Sequence, residues 1–405
     1  METVSAFRPC AQEALWQEFD RMTRTALKTL METFLEEERD LFLGRAAHVR
    51  DPERRGLRNG YFARTLASRH GLLRLRVPRV RAAAVPFRPL AFDAYRRRTR
   101  AVDAAIEHWI ASGLSTRGVE AALLQAFGFA FSAATVSRVV ARVEAELAAW
   151  QARPLPRSYR ILYLDAKHGR IRPGRGFHGR RRAEKGVLLA AWGLRHDGRE
   201  ELVDVMASAG GESEESWTRF LTRLEARGVR RRNAFDQPLE LIVTDGDGGL
   251  WAALARVYPH VPHQSCVFHK LQALAGHVED PRNRVALQAS AKRIYQGARA
   301  PQEARVRLRA WAEMWRATEP EAVRNFCVDF DKTLQYMELD SRLWRRARTN
   351  NPVERFMREL ERTAAHVPAW ESERHWERSA YLAWRRLLAS GYAPTRTLFP
   401  FTQRS

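Results

Sequence analysis

The chain has 405 residues, and 69 Lys and Arg residues against 47 Asp and Glu residues give it a formal net charge of +22. A composition with 45% hydrophobic and 29% charged residues is ordinary for a folded soluble protein and excludes disorder over most of the length. The length predicts two or three domains. The charge calls for an anionic partner, and nucleic acid is the first candidate, with a ribosomal or membrane-surface protein as the alternative.

The sequence contains no sign of a membrane span or of a secretory signal. No window approaches the run of about 18 apolar residues that spans a bilayer, and the N-terminus lacks a basic start followed by an apolar core. The three cysteines, Cys10, Cys266 and Cys327, are too few and too far apart for a disulfide framework. We therefore expect a cytoplasmic protein on the nucleoid, with no membrane partner.

The first hundred residues are predicted to form helices followed by a basic β region. Residues 1–56 carry apolar side chains at helical spacing, typical of a dimer element or of a plain helical cap. Residues 57–100 contain the turn signal Asn59-Gly60 and a strand-like alternation of apolar and basic residues, which indicates a strongly basic β segment that contacts DNA. Its candidate DNA contacts are Arg58, Arg64, Arg76 and Arg79.

Residues 101–151 have the punctuation of a helix-turn-helix. Ser115 and Ser132 are placed as N-caps of two successive helices, and Gly128 is placed at the end of the first. A helix-turn-helix would present its second helix to DNA, whereas a plain helical hairpin would look similar in sequence. The candidate DNA contacts here are Arg117, Ser137, Arg138 and Arg142.

Two prolines near residue 155 mark a domain boundary, after which the pattern becomes that of an α/β domain. Three apolar β-rich runs predict a three-stranded antiparallel sheet. The next predicted element is a helix that is capped by Ser213 and has Trp217 in its apolar stripe. A fourth predicted strand then joins the sheet in parallel. This order predicts an α/β ribonuclease H-like catalytic domain, preceded by the mostly helical DNA-binding region. Its first part is residues 157–269, an all-helical insertion covers residues 270–345, and its C-terminal part is residues 346–405.

Three acidic residues are the candidate catalytic and metal-binding groups. Asp165 lies near the end of the first predicted strand, Asp245 ends the fourth, and Glu354 lies in the first turn of the last long helix, which begins near Pro352. Taken alone, each Asp is also typical of a helix cap or a turn, and the Glu is typical of a residue that interacts favourably with the helix dipole. Asp247 is the alternative to Asp245 as the second acidic residue of the site. Together the three acidic residues predict a site for Mg²⁺, with Mn²⁺ as the alternative, because hard oxygen ligands suit these ions in phosphoryl transfer. Arg355 and Arg358 on the same helix are candidate contacts to the DNA backbone.

A run of histidines and one cysteine resembles a metal motif at first sight. His260, His263, Cys266 and His269 follow one another at intervals of three, but structural zinc sites usually combine two separated ligand pairs. We therefore do not expect zinc, and we assign Cys266 and His269 a structural or auxiliary role, as we do Trp217.

The sequence resembles the Mutator-type transposases of bacterial insertion sequences, with the family's sequence blocks in the same order from about Arg58 to His366. The blocks that carry the resemblance are RNGYFARTL, LRLRVPRVR, GLSTRGVEAALLQAFG, SYRILYLDAKH, GESEESWTRFLTRLEARGV, TDGDGGLWAAL, SCVFH and TNNPVER. The match places the family's first and second catalytic Asp at Asp165 and Asp245, and its catalytic Glu at Glu354. It also identifies Cys266 and His269 as the family's recurring Cys-x-x-His.

The resemblance implies a DDE transposase of ribonuclease H-like fold, with a helical insertion before the Glu. Such an enzyme acts on the terminal inverted repeats of its own element and on target DNA, as a homodimer or higher oligomer and without a covalent protein–DNA intermediate. Two residues depart from the family pattern: Asp247 stands where His is usual, and Met357 where Asn is usual. The alternatives are a domesticated DNA-binding protein without activity, and a ribonuclease H-like nuclease without strand transfer.

Overall fold

The computed structural model describes residues 7–46, 49, 55–90, 97–155, 159–172, 183–230, 238–246 and 248–390. The chain divides into two compact units, residues 1–110 with 114–142 and residues 111–113 with 143–405. None of the helices in the described ranges is long and apolar enough to cross a membrane. The finer domain limits expected from the sequence remain predictions.

The first unit consists of helices and one β-hairpin. Its elements are α1 (Phe7–Leu43), β1 (Leu57–Ser68), β2 (Gly71–Arg81), α2 (Arg100–Ala111), α3 (Thr116–Phe127) and the beginning of α4 (Ala133–Ala152). The predicted N-terminal helix is one continuous element of 37 residues. The hairpin is antiparallel, and its inner residues Leu66, Leu73 and Leu75 pack with Leu35 of α1. The alternation of buried and exposed residues along β2 confirms the predicted strand.

The predicted punctuation between α3 and α4 is confirmed. The Ser115 side chain accepts a hydrogen bond from the Gly118 N–H, and Gly128 ends α3 in the left-handed region at φ 71°. Helix α4 begins directly after Ser132.

The second unit is built on a mixed sheet of five strands, in the order β5-β4-β3-β6-β7. The strands are β3 (Tyr159–Ile171), β4 (Glu184–Arg195), β5 (Glu200–Ser208), β6 (Leu241–Thr244) and β7 (His263–Ser265). Strands β3, β4 and β5 are antiparallel neighbours, whereas β6 is parallel to β3 and β7 to β6. The predicted antiparallel strands and the parallel fourth strand are therefore confirmed. Strand β7 was missed because its three residues are too few to show a periodic pattern.

Two apolar layers cover the sheet, because successive strand residues point to opposite faces. Ile161 and Tyr163 belong to one buried cluster, and Leu162 and Leu164 to the other. The second cluster is completed by α5 (Glu214–Ala226) and α6 (Gly248–Val257).

The face of Ile161 and Tyr163 packs against the later helices. These are α7 (Val267–Gly276), α8 (Arg284–Gly297), α9 (Pro301–Trp315), α10 (Pro320–Cys327), α11 (Trp344–Ala347), α12 (Asn351–Thr363) and α13 (Glu373–Ala389). Short 3₁₀ segments cover Phe330–Thr333, Gln335–Glu338 and Ser341–Leu343. Residues 270–345 are described throughout and contain no strand, as the sequence predicts. Pro352 lies in the first turn of α12, also as predicted.

Candidate active site

Asp165 lies in the middle strand of the sheet, where β3 pairs it with Ala190 of β4. The expectation that it lies near the end of the strand is wrong, because β3 continues beside β4 as far as Ile171. Its side chain is on the same face as Ile161 and Tyr163, because strand residues two apart share a face. Only 8% of the residue is exposed. One carboxylate oxygen, Oδ1, accepts a hydrogen bond from the Ala166 N–H at 3.0 Å. A buried carboxylate with so little hydrogen bonding needs a further partner.

Asp245 follows the neighbouring strand. Strands β3 and β6 are in a parallel register that pairs Tyr163 with Val243, so that Asp165 and Asp245 each lie two residues beyond that pair. Gly246 adopts φ 101°, which lets the chain turn from β6 into α6 directly after the carboxylate. Asp247 lies outside the described residues.

Glu354 comes from α12, whose start is tied to the sheet. The Asn350 side chain donates from Nδ2 to the carbonyl oxygen of Leu164 at 2.8 Å, directly beside Asp165. Val353 and Phe356 are buried in the core, and Glu354 lies between them, half-buried. The hydrogen bond and the packing of α12 therefore hold the first turn of the helix, with Glu354, near Asp165.

The charges of this cluster act on one another. Burial raises the pKa of Asp165, and the carboxylate of Asp245 adds to the effect, so that the pKa reaches about 8 despite the Ala166 N–H. Glu354 and Glu212 also raise this pKa. Like charges gathered at a buried position favour a bound cation, because a cation removes their mutual repulsion.

Glu212 was not identified from the sequence. Its Oε1 accepts from the Trp217 indole at 3.0 Å, and its Oε2 lies 3.0 Å from His168 Nε2. An acidic residue just before the N-cap of a helix is usual, so the sequence pattern did not separate Glu212 from Glu214. The buried Trp217, placed in the core as predicted, thus also holds an acidic side chain near Asp165.

Cys266 and His269 lie beside Glu354. The backbone N–H of Cys266 donates to the Thr244 carbonyl at 2.7 Å, and its Sγ accepts from the Asn350 N–H at 3.3 Å. Burial raises the pKa of the Cys266 thiol to about 11, against the opposing effect of the nearby N–H groups of His269 and Asn350. His269 Nε2 is 3.6 Å from Glu354 Oε1.

Comparison with known proteins decides the family. The model of the family described as "Transposase, Mutator family" matches residues 2–383. The chain belongs to this family. It is 32% identical to the transposase for insertion sequence element ISRM5 of Rhizobium meliloti strain 1021, over 84% of this chain and 81% of the relative.

Two further relatives carry the same kind of name. The transposase for insertion sequence element IS406 of Burkholderia multivorans is 32% identical over 83% of both chains. The transposase for IS256 in transposon Tn4001 of Staphylococcus aureus is 30% identical over 62% of this chain and 61% of the relative.

The predicted DNA-contact residues of this transposase differ in their exposure and in whether they form ion pairs within the protein. Three of them form ion pairs within the protein: Arg58 with Asp40 at 2.9 Å, Arg142 with Glu107 at 2.7 Å, and Arg76 with Glu32 at 3.8 Å. Arg64 is half-buried. The exposed candidates are Arg76, Arg79, Arg117, Ser137, Arg138, Arg355 and Arg358.

The departure at Met357 falls inside the transposase core. Its side chain is buried with Phe356 and Leu360 on the face of α12 that packs against the sheet. Residue 357 thus contributes to the packing that supports Glu354, whereas Glu354 itself is half-buried.

Proposed function

We propose that this transposase is a DDE enzyme of ribonuclease H-like fold that cuts and joins DNA at the terminal inverted repeats of its own element. Asp165, Asp245 and Glu354 are its catalytic residues. The observation that carries the proposal is the geometry: the parallel register of β3 and β6 sets Asp165 beside Asp245, and the Asn350–Leu164 hydrogen bond ties the start of the Glu354 helix to the same place. Burial, and after it the charges of Asp245 and Glu354, raise the pKa of Asp165, which agrees with this geometry.

These three residues fit a divalent cation. Carboxylate oxygens are the ligands that Mg²⁺ and Mn²⁺ prefer. Glu354 Oε1 is buried and has no hydrogen-bond partner among the described residues. Asp165, Asp245 and Glu354 would hold the metal ions, which when bound activate the attacking oxygen and stabilise the leaving one.

The reaction has two steps of the same kind. In the first, a water oxygen bonds to phosphorus, the P–O3′ bond breaks, and the released 3′ oxygen takes up a proton. In the second, that 3′-hydroxyl loses its proton and attacks a phosphodiester of the target, breaking another P–O3′ bond. Each step breaks one phosphodiester and forms one new P–O bond, so neither needs a covalent link to the protein.

DNA is the proposed partner, and the net charge of +22 supports this. The Arg76 guanidinium of β2 is exposed, 4.9 Å from the centroid of the Tyr61 ring and 3.8 Å from Glu32, and Arg138 is exposed at the start of α4. Both elements therefore present cations to a DNA backbone. We further propose that the enzyme acts as a homodimer or higher oligomer on its two element ends.

A labelled duplex carrying the element's own end tests the proposal. In Mg²⁺, the wild type is expected to yield nicked and joined products, whereas Asp165→Asn and Glu354→Gln bind the duplex but yield neither. Glu361→Gln is the matched control, because Glu361 lies on the same helix and pairs at the surface with Lys167 at 2.9 Å. Nicking without joining would favour a nuclease, and retained cleavage in either variant would refute the site.

A further inference from the structure

We propose that Cys266, His269 and Glu354 form a binding site for one thiophilic divalent cation, Zn²⁺, and that occupation of this site withdraws Glu354 from the catalytic carboxylates. The inference rests on the proposed catalytic role of Glu354. It assigns the transposase an inhibitory metal site beside the one that catalysis uses.

The three ligand atoms are already close together. The Cys266 Sγ, one ring nitrogen of His269 and one carboxylate oxygen of Glu354 all lie within 4.8 Å of one another. His269 Nε2 and Glu354 Oε1 are 3.6 Å apart. Ligand atoms around a tetrahedral zinc ion are about 3.5 Å apart, since Zn–N and Zn–S bonds are about 2.0 and 2.3 Å long. The widest of these separations, which is at most 4.8 Å, therefore has to shorten by about 1.3 Å or less.

The ligands come from two separate elements. Cys266 and His269 lie within one turn at the start of α7, and Glu354 lies in the first turn of α12. The run of histidines in the sequence lacks this second contribution, which is why it did not predict zinc. In the folded protein Asn350, which precedes α12, bonds to both Leu164 and Cys266, and this brings Glu354 to the Cys266 and His269 side chains.

The donor set selects a soft cation. A sulfur and an imidazole nitrogen suit Zn²⁺ or Co²⁺, whereas Mg²⁺ prefers oxygen alone. The Asn350 N–H that donates to Cys266 Sγ at 3.3 Å would stabilise the thiolate form. On binding, an Sγ–metal bond replaces the S–H bond, and the proton passes to solvent.

The cluster has both an unsatisfied ligand and access to solvent. Glu354 Oε1 is buried without a hydrogen-bond partner in the part of the chain that the structure describes. Side-chain exposure is 30% for His269 and 19% for Glu354, so an ion can enter from that side and keep a water as its fourth ligand.

Co²⁺ absorption tests the site without any DNA. Full-length protein with one equivalent of Co²⁺ is expected to show a near-ultraviolet sulfur-to-metal band together with the visible bands of a tetrahedral ion. Zn²⁺ should displace Co²⁺, and a large excess of Mg²⁺ should not. The sulfur band should disappear in Cys266→Ser, and Co²⁺ affinity should fall at least about tenfold, or 1.4 kcal/mol, in His269→Gln and Glu354→Gln.

Cys327→Ser is the matched control, because Cys327 is an exposed thiol outside the cluster. It should keep the band, as should Cys10→Ser. A band that persists in Cys266→Ser, or no band in the wild type, overturns the site. If Cys266→Ser fails to fold by circular dichroism, the His269→Gln and Glu354→Gln titrations decide.

Inhibition is measured separately, by adding Zn²⁺ to the Mg²⁺-dependent joining reaction. Each protein is normalised to its own rate without zinc, and half-inhibition of Cys266→Ser should need at least ten times more Zn²⁺ than that of the wild type. Equal inhibition overturns the withdrawal of Glu354. Absence of joining in the wild type would instead refute the proposed function, while the Co²⁺ spectrum would still report the site.

Discussion

Asp165 and Asp245 lie side by side because β3 and β6 are parallel in a register that pairs Tyr163 with Val243. Each Asp stands two residues beyond that pair. The carboxylate of Asp245 is the largest influence on the pKa of Asp165 after burial. Two carboxylates far apart in the sequence thus repel each other in the folded protein, and this repulsion is one reason why we propose a bound cation beside them.

Asp165→Asn is expected to stabilise the protein in EDTA. The pKa of Asp165 rises from its ordinary 3.8 to about 8 in the folded state, so the wild type loses stability as the pH rises towards 8. The neutral Asn avoids this loss. Thermal unfolding should show the Tm of the variant rising above that of the wild type between pH 5 and 8, by at least about 2 °C, and levelling off above.

Asp331→Asn serves as the control for that experiment, because Asp331 is exposed and lies far from the site in the sequence. The Tm difference between Asp331→Asn and the wild type should stay constant over the pH range in which the Tm difference of Asp165→Asn changes. A constant difference for Asp165→Asn as well would contradict the buried, charge-crowded environment described above.

Asn350→Ala is expected to weaken both the fold and the joining reaction. Asn350 is fully buried, and its side chain holds the Leu164 carbonyl, so its loss leaves that carbonyl unsatisfied at about 1–3 kcal/mol. Urea denaturation measures the loss of stability. Asn351→Ala, at the exposed neighbouring position, should change neither property. A joining rate in Asn350→Ala equal to that of the wild type would show that Glu354 needs no such tie.

Much of the site could be predicted because its signals are local. Asp165 follows the apolar first half of β3, Asp245 comes directly after β6, and Glu354 lies shortly after a proline in the first turn of a helix. The identity of the strands and their parallel crossover followed from hydrophobic runs and from the general rule for such connections.

The remaining features depend on contacts between distant residues. The Glu212 side chain is held by contacts with Trp217 and His168, and the Asn350 side chain by its hydrogen bond to Leu164. No spacing rule predicts such partners, because they depend on how helices pack on the sheet. For the same reason the sequence could not show that Arg142 pairs with Asp103 and Glu107.

Arg138 and Arg142 should differ when each is replaced by Ala. Arg138 is exposed and bonds only to the nearby Thr135 side chain among the contacts described for it, so Arg138→Ala should keep its Tm and weaken DNA binding. Its salt slope in a fluorescence anisotropy titration should fall by about 1. Arg142 pairs with Asp103 and Glu107, so Arg142→Ala should lose about 1 kcal/mol of stability. The reverse pattern would show that Arg142 is the DNA contact.

Met357→Asn restores the residue that is usual in the family but should destabilise this protein. Met357 is 5% exposed in the apolar core, and burying an amide there costs about 1–3 kcal/mol. Met314→Asn, at a residue that is 70% exposed, should be nearly neutral. Chemical denaturation compares the two. A stable Met357→Asn variant with faster joining would mean that residue 357 acts at the site and not in packing.

The most direct test of the catalytic site is a change of metal preference at Asp245. Asp245→Cys replaces a hard oxygen ligand by a sulfur, which binds Mn²⁺ better than Mg²⁺. On a labelled duplex carrying the element's end, Asp245→Cys should yield no joined product in Mg²⁺ and regain product in Mn²⁺, while Asp245→Ala stays inactive in both. Equal activity of Asp245→Cys in the two metals, or joining by Asp245→Ala, would contradict a metal site built on Asp165, Asp245 and Glu354.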